Sequence, residues 1–320
     1  MTTLAADFGG RRIKLGIVRE GAVLAEQVIP AHADQPLVAR LDEVAAEFEK
    51  LCSQASVDPA TCAGVAFAYP SIIDTPNARI LDHFGKFGDA AQLDLRAWAK
   101  KRFGLPFAID NDARMALVGE WRHGAGRGCD NVAILTLGTG LGASAVIEGN
   151  LLRGAHGQAG ILGGHTTINY HGRTCVCGNV GCSEMEASTW RLRELAEALP
   201  GFKSSRLAAE TLIDYAAVFR LAAEGEPAAM ALREHSLKVW SVAVVNLIHA
   251  YDPEKVILAG GIMRSAAVIV PAVQKWVSRY AHTPWGKVQV VASELGDQAA
   301  LLAGEWLLTE RLSKEFCETI

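Results

Sequence analysis

A strand, a tight glycine turn and a second strand occur twice in this chain, and that repetition restricts its fold more than any other feature. "TLAADFGGRRIKLGIVREGAVLAEQ" reads as a strand, a turn at Gly9-Gly10, a second strand with alternating apolar residues in "IKLGIV", a turn at Glu20-Gly21 and a third strand. "NVAILTLGTGLGASAVIEGNLL" repeats the order, with a glycine turn over Gly138 to Gly142 and another at Glu148-Gly149-Asn150. The two stretches are too diverged to count as a sequence repeat, yet they predict a duplicated α/β lobe. Around the first hairpin the pattern predicts a helix over about 37 to 53, a buried strand over 63 to 70, an amphipathic stretch over 93 to 103 and the strand "PFAIDND". After the second it predicts helices near 188 to 199, 205 to 224 and 227 to 250, the strand "KVILAGGIM" and a final helix over about 297 to 313. The expected lobes are 1–112, completed by a C-terminal helix over 304–320, and a larger 113–303. Two similar lobes commonly close on a cleft where small ligands bind.

With 320 residues, half of them hydrophobic, the chain has material for two cores. The N-terminus shows no basic region followed by an apolar one, and no apolar run approaches the roughly 20 residues of a spanning helix. The expectation is a cytoplasmic protein without a membrane partner. A net charge of −4 and the lack of a basic cluster argue against a nucleic-acid partner. Cysteine usage agrees with a reducing compartment: the seven are odd in number, and Cys52, Cys62, Cys129 and Cys317 are scattered singly rather than set out as a disulfide framework.

The other three crowd into "GRTCVCGNVGCSEMEAS", residues 172 to 188. With His165 upstream they spell His-x9-Cys-x-Cys-x4-Cys through Cys175, Cys177 and Cys182, a Cys3His set suited to a tetrahedral d10 ion. Gly172, Gly178 and Gly181 let so short a loop wrap. Four protein ligands would make the ion structural zinc. The alternative is three buried free thiols, for which a loop of Gly, Asn and Arg is a poor setting.

Three glycine turns follow apolar strands: "DFGG" with Asp7, Gly9 and Gly10, "LGTGLG" with Gly138, Thr139 and Gly140, and "LAGGIM" with Gly260 and Gly261. Hairpins use glycine in any case, but three such turns spread over both halves point to backbone N–H groups that cradle a nucleotide's phosphates. A phosphate donor needs an acceptor hydroxyl and a base. Asp112, where the strand "FAIDND" gives way to a helix, can take that proton; alternatively Asp110 or Asp112 merely caps the helix.

Taken together, "DFGG", "DND" at 110 to 112, "LGTGLG", "GHTTI…GRTCVCGNVGCSE" and "LAGGIM" resemble, in order and spacing, the ROK family (repressor, open reading frame, kinase) of bacterial sugar kinases and sugar-responsive repressors. The resemblance covers nearly the whole chain, and its most specific part is the zinc signature. It implies a two-lobed actin-like, ribonuclease-H-like ATPase fold with a cleft between the lobes, and Mg2+ with ATP. It also implies Asp112 as catalytic base, and Asn111, the zinc-ligating His165 and Glu184 as sugar contacts. Zinc would then pin the loop that presents His165 and Glu184. A homodimer is the expected assembly.

The departures from the family pattern matter as much. Where its kinases usually read Gly-Gly-Thr-Lys, this chain has Gly9-Gly10-Arg11-Arg12, which loses a hydroxyl near the transferred phosphate. Arg11 is expected to replace it with a guanidinium fork, unless it points into solvent on an edge strand. Leu162 stands where the family kinases place a Glu three residues before the zinc His, and "LDHFGKFGDAAQ" brings Lys86 and Asp89 to the region ahead of Asp112. Two functions compete: an ATP-dependent kinase for a hexose or related sugar, and a catalytically weak or inactive sugar-binding regulatory relative. The repressor branch places a winged helix-turn-helix ahead of the first glycine turn, and the six residues before Asp7 leave no room for one. Asp112 favours the kinase, since a binding module needs no base.

Overall fold

The computed structural model describes the backbone of residues 1–82 and 84–318 and the side chains of these up to residue 311. Residues 319 and 320 of the expected C-terminal helix, and the Cys317 side chain, lie outside the described residues. The chain divides into two compact units: 1–127 with 153–159 and 294–320, and 128–152 with 160–293.

The first unit is built on the strands β1 (Thr2–Phe8), β2 (Arg12–Arg19), β3 (Ala22–Pro30) and β4 (Gly64–Tyr69), a small hairpin of β5 (Ile73–Asp74) and β6 (Arg79–Ile80), and β7 (Phe107–Asn111). Its sheet runs β3-β2-β1-β4-β7, antiparallel through the hairpins and parallel from β1 onward. Leu4, Ala6 and Phe8 of β1 face a core shared with Val44 and Phe48 of α1 (Leu37–Gln54) and Leu95 of α2 (Leu95–Phe103), whereas Ala5 faces Leu301 and Leu302 near the C-terminus. This period-two alternation buries both faces of the sheet.

The second unit repeats the topology, as the duplicated hairpins predict. β8 (Val132–Leu137), β9 (Leu141–Ile147), β10 (Asn150–Leu151), β11 (Lys255–Ala259) and β12 (Gln289–Ala292) form a sheet of order β10-β9-β8-β11-β12. Its helices are α4 (Ser183–Ala187), α5 (Leu192–Glu197), α6 (Tyr215–Ala223), α7 (Pro227–Tyr251) and α8 (Ala266–Tyr280). Two expected helices begin or end elsewhere. The stretch 188 to 199 divides into a 3-10 turn and α5, and the stretch 205 to 224 holds a 3-10 turn over Leu207–Ala209 and is α-helical only from Tyr215, because the Asp214 carboxylate caps there by accepting from Ala217 N–H. α8 and β12 went unread in the sequence; Pro271 inside α8 imitates a helix stop.

The boundary expected after Asp112 moves to residue 127. α3 (Asp112–His123) belongs to the first unit, because it packs on α9 (Ala299–Glu318) so closely that a Cβ on Gly119 would lie 1.9 Å from the Ala299 carbonyl oxygen. Buried Glu120 then gathers the neighbouring chain, accepting from Ala125, Glu294 and Leu295 N–H groups at 2.9, 3.2 and 2.9 Å. The excursion 153–159 is held by Arg114, which donates to the Gly157 carbonyl at 2.8 Å, and by Arg153, paired with Asp110. Among the described residues no helix is long and apolar enough to cross a membrane.

Candidate functional site

In the first unit the chemistry gathers at the carboxyl ends of β1 and β7. Asp7 and Lys14 stand opposite each other in the β1–β2 register, and the Lys14 ammonium lies 2.9 Å from Asp7 and 3.0 Å from Asp297. Burial works to lower the Lys14 pKa, but the two carboxylates outweigh it and hold the ammonium above its ordinary value. The turn between these strands is closed by Gly9 N–H donating to the Arg12 carbonyl at 2.9 Å. Arg11 is exposed, and Arg12 leans toward Asp297 at 3.7 Å.

The strand β7 delivers three polar residues with three different fates. Asp110 is fully buried between Arg114 and Arg153; burial raises its carboxyl, and the two guanidiniums more than reverse this and leave it below the usual carboxylate range. Asn111 is the N-cap of α3: its side-chain oxygen accepts from Arg114 N–H at 3.1 Å, and its amide nitrogen donates to the Ser71 carbonyl at 3.0 Å. Asp112, on the first helical residue, is thereby released from capping, and among the described residues its carboxylate accepts only from its neighbour Ala113 N–H at 2.8 Å. Burial pushes this carboxyl up to about 6, Asp7 adding to the rise and Lys86 and Lys14 opposing it. A half-buried carboxylate with a pKa near 6 is suited to accept a proton at neutral pH.

The second unit holds two glycine turns and the cysteine loop. Gly260 has φ +95°, and a Cβ there would lie 2.4 Å from the Leu137 carbonyl oxygen, so only glycine lets the end of β11 meet the end of β8. In the turn between β8 and β9, Gly138 N–H donates to the Gly140 carbonyl at 3.1 Å and Leu141 N–H donates to Glu184 at 2.9 Å. Among the described residues, the Thr139 and Gly140 amides donate to no protein acceptor, which leaves two N–H groups for an anion. Glu184 is buried, and its other oxygen accepts from the Trp190 indole N–H at 3.2 Å. Each oxygen keeps a lone pair for a further donor such as a sugar hydroxyl.

His165, Cys175, Cys177 and Cys182 come together, their donor atoms all within 4.8 Å of one another. The Cys175 sulfur is 3.4 Å from His165 Nδ1 and the Cys177 sulfur 3.7 Å from that of Cys182. A tetrahedral ion with bonds of about 2.3 Å to sulfur and about 2.05 Å to nitrogen sets edges of about 3.6 and 3.8 Å, so the donor set fits one four-coordinate metal ion. The loop is shaped for it: Gly181 has φ +62°, a Cβ there would lie 1.6 Å from the Asn169 carbonyl oxygen, and Asn179 donates to the His165 carbonyl at 2.9 Å. His165 itself ends a 3-10 turn whose Gly164 presses on β9, where a Cβ would lie 1.8 Å from the Leu141 carbonyl oxygen. Leu162 immediately precedes that turn.

Sequence reasoning named Asp7 but passed over its partner Lys14, although pairing the strands across the Gly9 to Arg11 turn would have placed the two opposite. It also passed over Thr189 and Trp190, whose link to the β8–β9 turn carries no local signal.

The pattern described as the ROK family matches residues 3–311. The glucokinase of Thermotoga maritima is 30% identical over 319 residues, covering 97% of this chain and 98% of its own. Among solved structures, a ROK family glucokinase from Streptomyces griseus in complex with glucose and AMPPNP is 27% identical with a TM-score of 0.81, over 97% of this chain and 100% of that one. A ROK hexokinase from Thermus thermophilus is 26% identical with a TM-score of 0.76, over 98% and 99%.

Proposed function

The chain belongs to the ROK family, and on that premise we propose that it is an ATP-dependent kinase that phosphorylates a hydroxyl of a hexose or related sugar. The observation that carries this reading is Asp112: a carboxylate at the start of α3, relieved of capping by Asn111 and raised to about 6. In this role Asp112 accepts the proton of the acceptor hydroxyl as that oxygen attacks the terminal phosphorus of ATP, while the bond to the bridging oxygen breaks and ADP leaves. Magnesium bound with ATP neutralises phosphate charge. Asp7, Gly9, Gly10, Arg11, Gly138, Thr139, Gly140, Gly260 and Gly261 are the residues we assign to the nucleotide. The two free amides of the β8–β9 turn support it.

Asn111, His165 and Glu184 are the residues we assign to the sugar; Asn111 also caps α3 and Glu184 also holds the Leu141 N–H. Zinc is the ion we assign to His165, Cys175, Cys177 and Cys182, because three thiolates and an imidazole at tetrahedral spacing favour it and leave no position for a catalytic water. We place the protein in the cytoplasm, where thiols stay reduced, as a homodimer. A coupled ADP-release assay over hexoses, amino sugars and N-acetyl sugars tests the kinase; no sugar-dependent ADP release across the panel would reject it.

A further inference from the structure

We propose that Thr189 and Trp190, carried on the segment that Cys182 and Glu184 anchor, are positioning residues that aim the two phosphate-facing amides of the β8–β9 turn. This rests on the kinase reading of that turn. The Gly138 carbonyl accepts twice from Thr189, from its N–H at 3.2 Å and from its hydroxyl at 2.8 Å. The Thr139 carbonyl accepts from Trp190 N–H at 3.3 Å. In a trans peptide the C=O and the following N–H point in opposite directions within one plane. Holding the Gly138 carbonyl therefore turns the Thr139 N–H the other way, and holding the Thr139 carbonyl does the same for the Gly140 N–H. These are the two amides that, among the described residues, donate to no protein group.

The rest of the turn is closed to other arrangements. Glu184 takes the Leu141 N–H and lies so near Gly140 that a Cβ there would be 2.6 Å from its carboxylate oxygen. The same carboxylate accepts from the Trp190 indole, and the Glu184 carbonyl accepts from Ser188 N–H at 3.1 Å, so residues 184 to 190 form one short strut. That strut starts two residues from Cys182, a proposed metal ligand, and Ser183 ties it to the chain beside His165, another of the four, by donating to the Gly164 carbonyl at 2.8 Å. The metal loop thereby serves the nucleotide as well as the sugar. Without the strut the glycine-rich turn is free to flip its peptides and present carbonyl oxygens, which repel phosphate.

The test is calorimetric titration of the full-length protein with magnesium AMPPNP, on wild type, Thr189→Val and Thr189→Ser. Losing the hydroxyl while keeping the shape is expected to weaken AMPPNP binding about fivefold to tenfold, with the serine recovering most of it. Metal content and the KM for sugar are expected to stay at wild-type values, a split that general destabilisation would not give. Wild type treated with chelator is expected to lose AMPPNP affinity at least as far as Thr189→Val. Equal AMPPNP affinity in wild type and Thr189→Val overturns the aiming role, and full affinity in the metal-free protein overturns the link to the metal loop. Wild type that binds no AMPPNP overturns the kinase reading itself.

Discussion

The two units share one topology but carry different groups at their strand ends. Strand for strand, β1, β2, β3, β4 and β7 of the first sheet correspond to β8, β9, β10, β11 and β12 of the second. The positions at the strand ends have diverged. After β7 comes Asp112, raised to about 6, while after β12 comes Ser293, whose N–H donates to the Leu258 carbonyl and extends the sheet contact. After β1 the turn is short, closed by its own backbone bond and flanked by charges, with Arg11 exposed and Asp7 bound to Lys14; after β8 the turn is uncharged and pinned from outside by residues 184 to 190. In the proposed reading, the first sheet supplies groups that move protons and balance charge, and the second supplies backbone amides and a metal-binding loop. Duplication thus fixes where side chains are delivered, and leaves open what they deliver.

The sharpest way to break this division is Asp112→Asn, which keeps the shape and loses proton acceptance. Turnover is expected to fall by roughly 100-fold or more with sugar affinity nearly unchanged, as steady-state kinetics would show. In wild type, kcat/KM should fall about tenfold per pH unit below about pH 6, where Asp112 becomes protonated, and stay flat just above it. Unchanged turnover in the variant would return Asp112 to a structural role.

The second unit's share is probed at the proposed metal site, His165, Cys175, Cys177 and Cys182. Protein purified without chelator is expected to carry one zinc per chain by elemental analysis. Cys177→Ser, at the most exposed ligand, is expected to lower zinc content and weaken sugar binding about 10- to 100-fold, because His165 and Glu184 lose their anchor.

Leu162 sharpens the sugar side of the comparison. A buried sugar hydroxyl left unpaired costs on the order of 1–3 kcal/mol, so glucose is expected to be a poor substrate and Leu162→Glu to raise its kcat/KM about fivefold or more. High glucose activity in wild type with no gain in the variant would remove the idea of an altered preference.

Smaller effects separate stability from chemistry. A carboxyl whose folded pKa is raised binds more protons in the folded state between about pH 4 and 6, so its contribution to stability falls as pH rises through that window. Asp112→Asn is therefore expected to melt above wild type at pH 7 to 8, and this advantage should vanish near pH 4. Arg11→Ala is expected to weaken nucleotide binding only a few-fold, since an exposed guanidinium on phosphate is screened by solvent. No change in nucleotide affinity would leave Arg11 to solvent.

The sequence by itself determined whatever depends on residues close along the chain. Strand alternation and glycine turns announce both hairpins, and the cysteine spacing brings three ligands together with a histidine ten residues upstream of the first. Asp112 was legible as a strand-to-helix carboxylate, but whether it capped the helix was decided by Asn111 beside it. Tertiary structure alone decided what depends on chain segments far apart. The approach of α3 to α9 places 112–127 in the first unit, and the strut from Thr189 to Gly138 joins residues 51 positions apart. Periodicity reports which face of an element is apolar; it does not report which distant backbone carbonyl a threonine will find, because that bond exists only once the sheet, the metal loop and α4 have packed together.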